Sequence, residues 1–132
     1  MSVECVDFIS VAERLLAVEE SEIAWRVAAG RAYYGAFHCC RDLVNKQPSI
    51  AVNNTLGDHE RIYQAISALG MAFPGAKDLK KLAYIAMQLR DVRGSADYDI
   101  ADSFRKEQAL QAIVTARKVH DSYRQFRANY KL

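Results

Sequence analysis

The sequence predicts an all-α fold, an up-and-down bundle of about five helices forming one domain over 1–132. Three observations carry that prediction. Apolar residues recur at intervals of three and four, the helical period, and alternate nowhere for long. Two prolines and six glycines in 132 residues leave few breaks, which suits long helices better than many short strands. A chain of this length can bury roughly 68% of its unfolded surface, so it can fold without a disulfide or a metal. Apolar residues at 51% and charged residues at 26% are ordinary for a globular protein and wrong for a disordered one.

The elements follow in order. Cys5, Phe8, Ile9, Ala12, Leu15 and Leu16 form the apolar stripe of a first amphipathic helix. Ser21 is placed to cap a second helix that meets no proline before Pro48 and runs to about Asn45. Pro48, Asn53, Asn54 and Gly57 mark residues 47–57 as loop. Asp58 is the expected cap of a third helix, with Ile62, Ile66 and Leu69 inward and Gly70 as its stop. Phe73-Pro74-Gly75 turns the chain into a fourth helix with Leu79, Leu82, Ala86 and Leu89 on one stripe, expected to end at Gly94. A polar connection spans residues 95–102. Ser103 is the expected cap of a fifth helix, whose stripe is Ala109, Ala112, Ala116, Val119, Tyr123, Phe126 and Tyr130. From Ala116 on, its spacing alternates three and four, which suits antiparallel packing in a bundle.

A line of small residues on the second helix, Ala24, Ala28, Ala32, Gly35 and Cys39, admits either tight core packing or a seam between two copies of the chain. Glycine inside a helix costs about 1 kcal/mol against alanine, so Gly30 and Gly35 call for a packing reason. The three cysteines, Cys5, Cys39 and Cys40, are odd in number and form no C-x-x-C pair, against a disulfide scaffold or a cysteine zinc site. They read as small buried packers, with a reactive thiol the other reading.

The net charge of +2 does not by itself imply nucleic-acid binding. Its distribution is uneven. Residues 1–23 hold six acids against Arg14, the opposite of a secretory or mitochondrial leader, and no run of about 18 apolar residues exists to span a membrane. A cytoplasmic protein is expected. Residues 103–132 hold seven bases against Glu107 and Asp121, a face for phosphates or for the acidic first helix.

Two clusters could carry chemistry. In Arg31-Ala-Tyr33-Tyr34-Gly-Ala-Phe37-His38, Arg31, Tyr34, Gly35 and His38 share one side of a helix. Arg31 and His38 lie about 10.5 Å apart along its axis. An arginine can hold a phosphate bidentately and a histidine can move a proton, which suits phosphodiester cleavage. The other reading is a core histidine and an arginine in an internal salt bridge. In Arg90-Asp-Val-Arg93-Gly-Ser-Ala-Asp97-Tyr98-Asp99, Arg93 extends the apolar stripe one turn beyond Leu89. A charge there should be paired or functional. It is either a structural bridge to Asp97 or Asp99, fastening the polar connection, or an anion or nucleotide site lined by Arg93 and Tyr98. No glycine-rich phosphate loop, G-x-S-x-G or H-E-x-x-H occurs, and His38, His59 and His120 are scattered, so neither a metal nor a cofactor is expected.

At these two clusters the sequence resembles the HEPN family (higher eukaryotes and prokaryotes nucleotide-binding domains). Arg31-Ala-Tyr-Tyr-Gly-Ala-Phe-His38 and Leu89-Arg-Asp-Val-Arg93-Gly-Ser-Ala-Asp97-Tyr98-Asp99 carry the resemblance, and the helix order extends it over essentially the whole chain. It implies a small, usually homodimeric helical bundle. Many members are metal-independent endoribonucleases whose R-x4-6-H motif, after the fourth helix, lines a groove between two chains. Others bind nucleotides or act as non-catalytic partners, often of a minimal nucleotidyltransferase in toxin–antitoxin pairs. This sequence departs from the motif: counting from Arg93, Tyr98 takes the histidine place, and an unshifted tyrosine is a poor general base at neutral pH. Arg31-x6-His38 meets the spacing but lies in the second helix.

Two functional expectations result. The first is an HEPN-like dimeric binding module with Arg93, Asp97, Tyr98 and Tyr34 at a nucleotide- or RNA-associated site and a nucleotidyltransferase-type partner. The second is an endoribonuclease using Arg93 or Arg31 to hold the phosphate and His38 as acid or base. A purely structural dimer is the remaining alternative.

Overall fold

The computed structural model describes residues 2–132. Its regular elements are five helices, in the predicted order: α1 (Cys5–Val18), α2 (Glu22–Asn45), α3 (Asp58–Ser67), α4 (Ala76–Tyr98) and α5 (Lys106–Tyr130). The bundle is all-α. No helix among the described residues is long and apolar enough to cross a membrane.

α2 is the central helix and packs against each of the other four. Its start is as read: the Ser21 hydroxyl accepts from the Ala24 amide at 3.2 Å, satisfying one of the amides a helix start leaves unpaired. Residue pairs fix the helix directions. Cys5 meets Cys39 while Ile9 lies over Gly35, so α1 runs antiparallel to α2. Arg26 reaches Ala96 while Tyr34 meets Arg93, so α4 does the same. Glu22 contacts Phe104 while Asp42 contacts Tyr123, so α5 runs parallel to α2. One contiguous apolar cluster draws on all five helices.

The small-residue stripe serves the core. Ala28, Ala32 and Cys39 are fully buried, and a Cβ on Gly35 would stand 2.5 Å from Ile9 Cγ1 and 3.1 Å from the Cys5 carbonyl oxygen. α1 occupies the place a second copy would take, so the dimer-seam reading of this stripe is withdrawn. Gly35→Ala is expected to destabilise by about 1–3 kcal/mol, because the backbone of α1 must back away. Chemical denaturation with sedimentation checks it: a stable variant whose self-association alone changed would restore the seam.

Four boundaries differ from the sequence reading. α4 runs through Gly94 to Tyr98. Space around Gly94 is open, so its only penalty is conformational and packing on either side carries the helix past it. α5 starts after Arg105, not Ser103, because Phe104 is drawn into the core and its amide donates to Glu22 at 3.2 Å. Asp58 is the first helical residue of α3, behind Gly57. α3 closes at Ala68 in right-handed geometry, so Gly70 caps nothing. Gly75 does hold a left-handed conformation, φ 79°, where a Cβ would stand 2.6 Å from the Phe126 ring, so both backbone and space require glycine in that turn.

Acidic α1 and basic α5 pair within the chain: Arg117 bonds Glu13, and Lys106 bonds Glu20 just beyond α1. Cys39 and Cys40 are fully buried, as expected of packers, and burial pushes the Cys40 thiol up. Cys5 is only half-buried, and a hydrogen bond from Cys39, 3.2 Å between sulfurs, holds its thiol below the usual range.

Candidate functional site

The C-terminal half of α4 lies antiparallel across the middle of α2, where a Cβ on Gly30 would meet Asp97 Oδ1 at 3.8 Å and Arg93 Cγ at 3.9 Å, ordinary contacts. Tyr34, one turn further along α2, stands at the centre of the resulting cluster. The Arg93 guanidinium lies 5.4 Å from the Tyr34 ring centroid and donates to its hydroxyl at 3.1 Å. The Arg31 guanidinium lies 4.8 Å from the same centroid. Arg93 also lies 5.6 Å from the ring of Tyr98, which is 72% exposed.

The two arginines are neutralised differently. Arg93 Nε lies 2.9 Å from Asp97 Oδ2 in an i,i+4 ion pair, off the line of a proper hydrogen bond. That pair sits within α4 and fastens nothing across the fold. Arg31 takes part in no ion pair among the described residues, against the internal salt bridge weighed for it. It is half-buried against a ring face, an arrangement worth about 0.5–1 kcal/mol at an exposed site, with its charge unbalanced. Arg90, one turn before Arg93, adds a third guanidinium held to Glu60 at 2.6 Å.

The cluster also contains a histidine that sequence reasoning set aside. α3 lays His59 flat on Phe37, centroids 4.0 Å apart, and edge-on to Tyr34 at 5.8 Å. Its Nδ1 lies 2.5 Å from the hydroxyl of fully buried Tyr33, which accepts from Tyr63 at 3.1 Å. Burial pushes Tyr33 up to about 12, so the hydroxyl keeps its proton in the hydrogen bond it shares with His59. Burial first, then the charges of Arg90 and Arg93, hold His59 below its ordinary pKa. These causes favour the neutral ring, with Nδ1 engaged by Tyr33 and Nε2 left for another partner.

His38, the expected acid or base, is half-buried on the same side of α2 as Arg31 but turns to α1, stacking on Phe8 at 4.9 Å. Desolvation, then Arg41, lowers its pKa. Arg41 is the cation that acts on it. Thus Arg31, Tyr34, Arg93, Asp97 and Tyr98 come together, and His38 stands at their border. No group of three or more His, Cys, Asp or Glu among the described residues is placed to hold a metal.

Arg26, which sequence reasoning missed, anchors the cluster from below. It is 5% exposed and donates to the carbonyls of Ser95 at 3.3 Å, Ala96 at 2.9 Å, Asp99 at 3.4 Å, and Asp102. Glu22 holds it at 3.2 Å, and the Phe104 ring lies 5.6 Å from it. One α2 side chain thus closes the end of α4 and fastens the connection into α5, the task the sequence reading offered to Arg93.

Fold and cluster together define a helical-bundle protein with an arginine–tyrosine face between two antiparallel helices. No family model, no curated protein and no solved structure matches the chain.

Proposed function

We propose that the protein is a small HEPN-like binding module whose α2–α4 face holds a phosphate group of RNA or of a nucleotide, acting as a homodimer beside a nucleotidyltransferase-type partner. The observation that carries this reading is Tyr34 flanked by two guanidiniums, with Arg31 unpaired by any carboxylate. A phosphate there gains two charge-assisted donors without breaking an ion pair of Arg31. Exposed Tyr98 offers a ring on which an unpaired base can stack. Support for binding over cleavage comes from the second string, where Tyr98 takes the histidine place, and from His38, which turns to Phe8 on α1. The HEPN likeness rests on the two sequence strings, both of which contribute to this face.

Fluorescence anisotropy with labelled single-stranded RNA tests the proposal. Arg31→Ala and Arg93→Ala are each expected to weaken binding about tenfold and to flatten its salt dependence by roughly one phosphate contact. Unchanged affinity in both variants overturns it. Running the assay in EDTA tests the endoribonuclease reading, which the place of His59, edge-on to the tyrosine that Arg31 and Arg93 flank, favours. Cleavage leaving 2′,3′-cyclic phosphate ends, lost in His38→Ala or His59→Ala, would establish the enzyme.

A further inference from the structure

A second basic site lies further along α2, towards its C-terminus. A cavity of about 740 Å³ opens between the first turn of α1, the C-terminal part of α2 and the middle of α5. Its volume is that of a small-molecule site. α2 contributes His38 and Arg41, and α5 contributes His120 and Arg124, each pair three or four residues apart and so on one helix face. α2 and α5 run parallel here, and a 2.5 Å hydrogen bond from the Tyr123 hydroxyl to Asp42 Oδ2 ties them together.

The charges of the wall divide into engaged and free, and the free ones include one carboxylate, Glu4 at the start of α1, which takes part in no ion pair among the described residues. Asp42 is met by Lys46 at 3.1 Å as well as by Tyr123. Arg127 is held by the Leu132 carbonyl at 3.2 Å and by the Tyr123 hydroxyl at 3.2 Å. Arg41 and Arg124 are exposed and take part in no ion pair among the described residues. Each stands near one of the half-buried imidazoles: Arg41 acts on His38, and Arg124 on His120. Burial first, and then these arginines, keep both rings on the neutral side, so each can donate one hydrogen bond without adding charge repulsion. The Phe8–His38 stack supplies an aromatic wall beside them.

We propose that this cavity is a binding site for a phosphorylated small molecule, its phosphate held by Arg41 and Arg124 with His38 and His120 as further hydrogen-bond partners. Two unpaired guanidiniums from two helices match a dianion better than a carboxylate, which one would satisfy. The ring wall takes the body of the ligand. The site is separate from the arginine–tyrosine face, so the inference does not rest on RNA binding there.

The test is an NMR titration of the histidine ring signals with phenyl phosphate, with phenol as the control lacking the phosphate. Phenyl phosphate is expected to shift His38 and His120 saturably and phenol to leave them in place. Arg41→Ala/Arg124→Ala should weaken binding tenfold or more, while Arg93→Ala leaves it unchanged. Both arginines of the double variant are exposed, so its melting temperature should match the parent's, and a variant that melts early is replaced by Arg41→Gln/Arg124→Gln. Absence of a saturable shift, equal shifts with phenol, or full affinity in the double variant overturns the site. Shifts confined to His59 overturn it as well, and place the phosphate on the α2–α4 face instead.

Discussion

Arg26→Ala is expected to lower the unfolding free energy by about 3–5 kcal/mol, the range found when one member of a buried charged network is removed. Of the four carbonyls, Ser95 and Asp99 also accept the backbone amides of Asp99 and Asp102, so Ala96 at the end of α4 and Asp102 beyond it depend on the guanidinium. Without it, those carbonyls stay desolvated or the end of α4 opens to water, and each unsatisfied group costs roughly 1–3 kcal/mol. Glu22 would also lose its cation while still holding the Phe104 amide. Arg26→Lys should recover less than half of the loss, because one ammonium cannot span four carbonyls as a planar fork does. Urea denaturation reads both variants. An Arg26→Ala midpoint within error of the parent's would show that water replaces the guanidinium at no cost. The same variant should weaken RNA binding only as far as it loosens the end of α4, since Arg26 is buried while Arg93 is partly exposed.

This residue also shows where reading from sequence stops. Element positions were legible because each depends on local signals: the apolar period, Ser21 at a helix start, Pro48 after a helix end, Gly75 in a turn. The errors fell where a distant contact outweighed a local signal. Gly94 reads as a stop, yet packing before and after it keeps the helix going. Ser103 reads as a cap, yet burial of Phe104 moves the start of α5 to Arg105. Arg93 was legible as a charge on an apolar stripe, and Asp97, four residues on, as its partner. Arg26 was not: Glu22, four residues before it, marks only an ordinary helix ion pair, and the carbonyls that give Arg26 its task lie 69 to 76 residues away. His59 was missed for the same reason: the angle at which α3 meets α2 puts it against Phe37 and Tyr34, and helical period carries no such angle.

Leu82→Ala and Leu89→Ala are expected to cost about 2–5 kcal/mol each, but not equally. Both are nearly fully buried on α4, at 3% and 4% exposure. Loss of a buried leucine combines lost transfer energy with the cavity left behind, and the cavity part shrinks where neighbours or solvent can move in. Leu89 borders the open groove between α4 and α5, beside Gln108, Gln111 and Ala112, so its space can partly refill. Leu82 lines no such groove and should fall at the upper end of the range. Equal losses would mean that the groove is as rigid as the core. Leu89 and Arg93 are consecutive on one helix face, so the pair also separates stability from binding. Leu89→Ala should lower the denaturation midpoint and leave RNA affinity per folded molecule unchanged. Arg93→Ala should do the reverse, since its ion pair to Asp97 is partly exposed and such a pair is worth at most about 1 kcal/mol. If Arg93→Ala instead unfolds the bundle while Leu89→Ala weakens RNA binding, the charge on this stripe is structural and the phosphate must be held elsewhere.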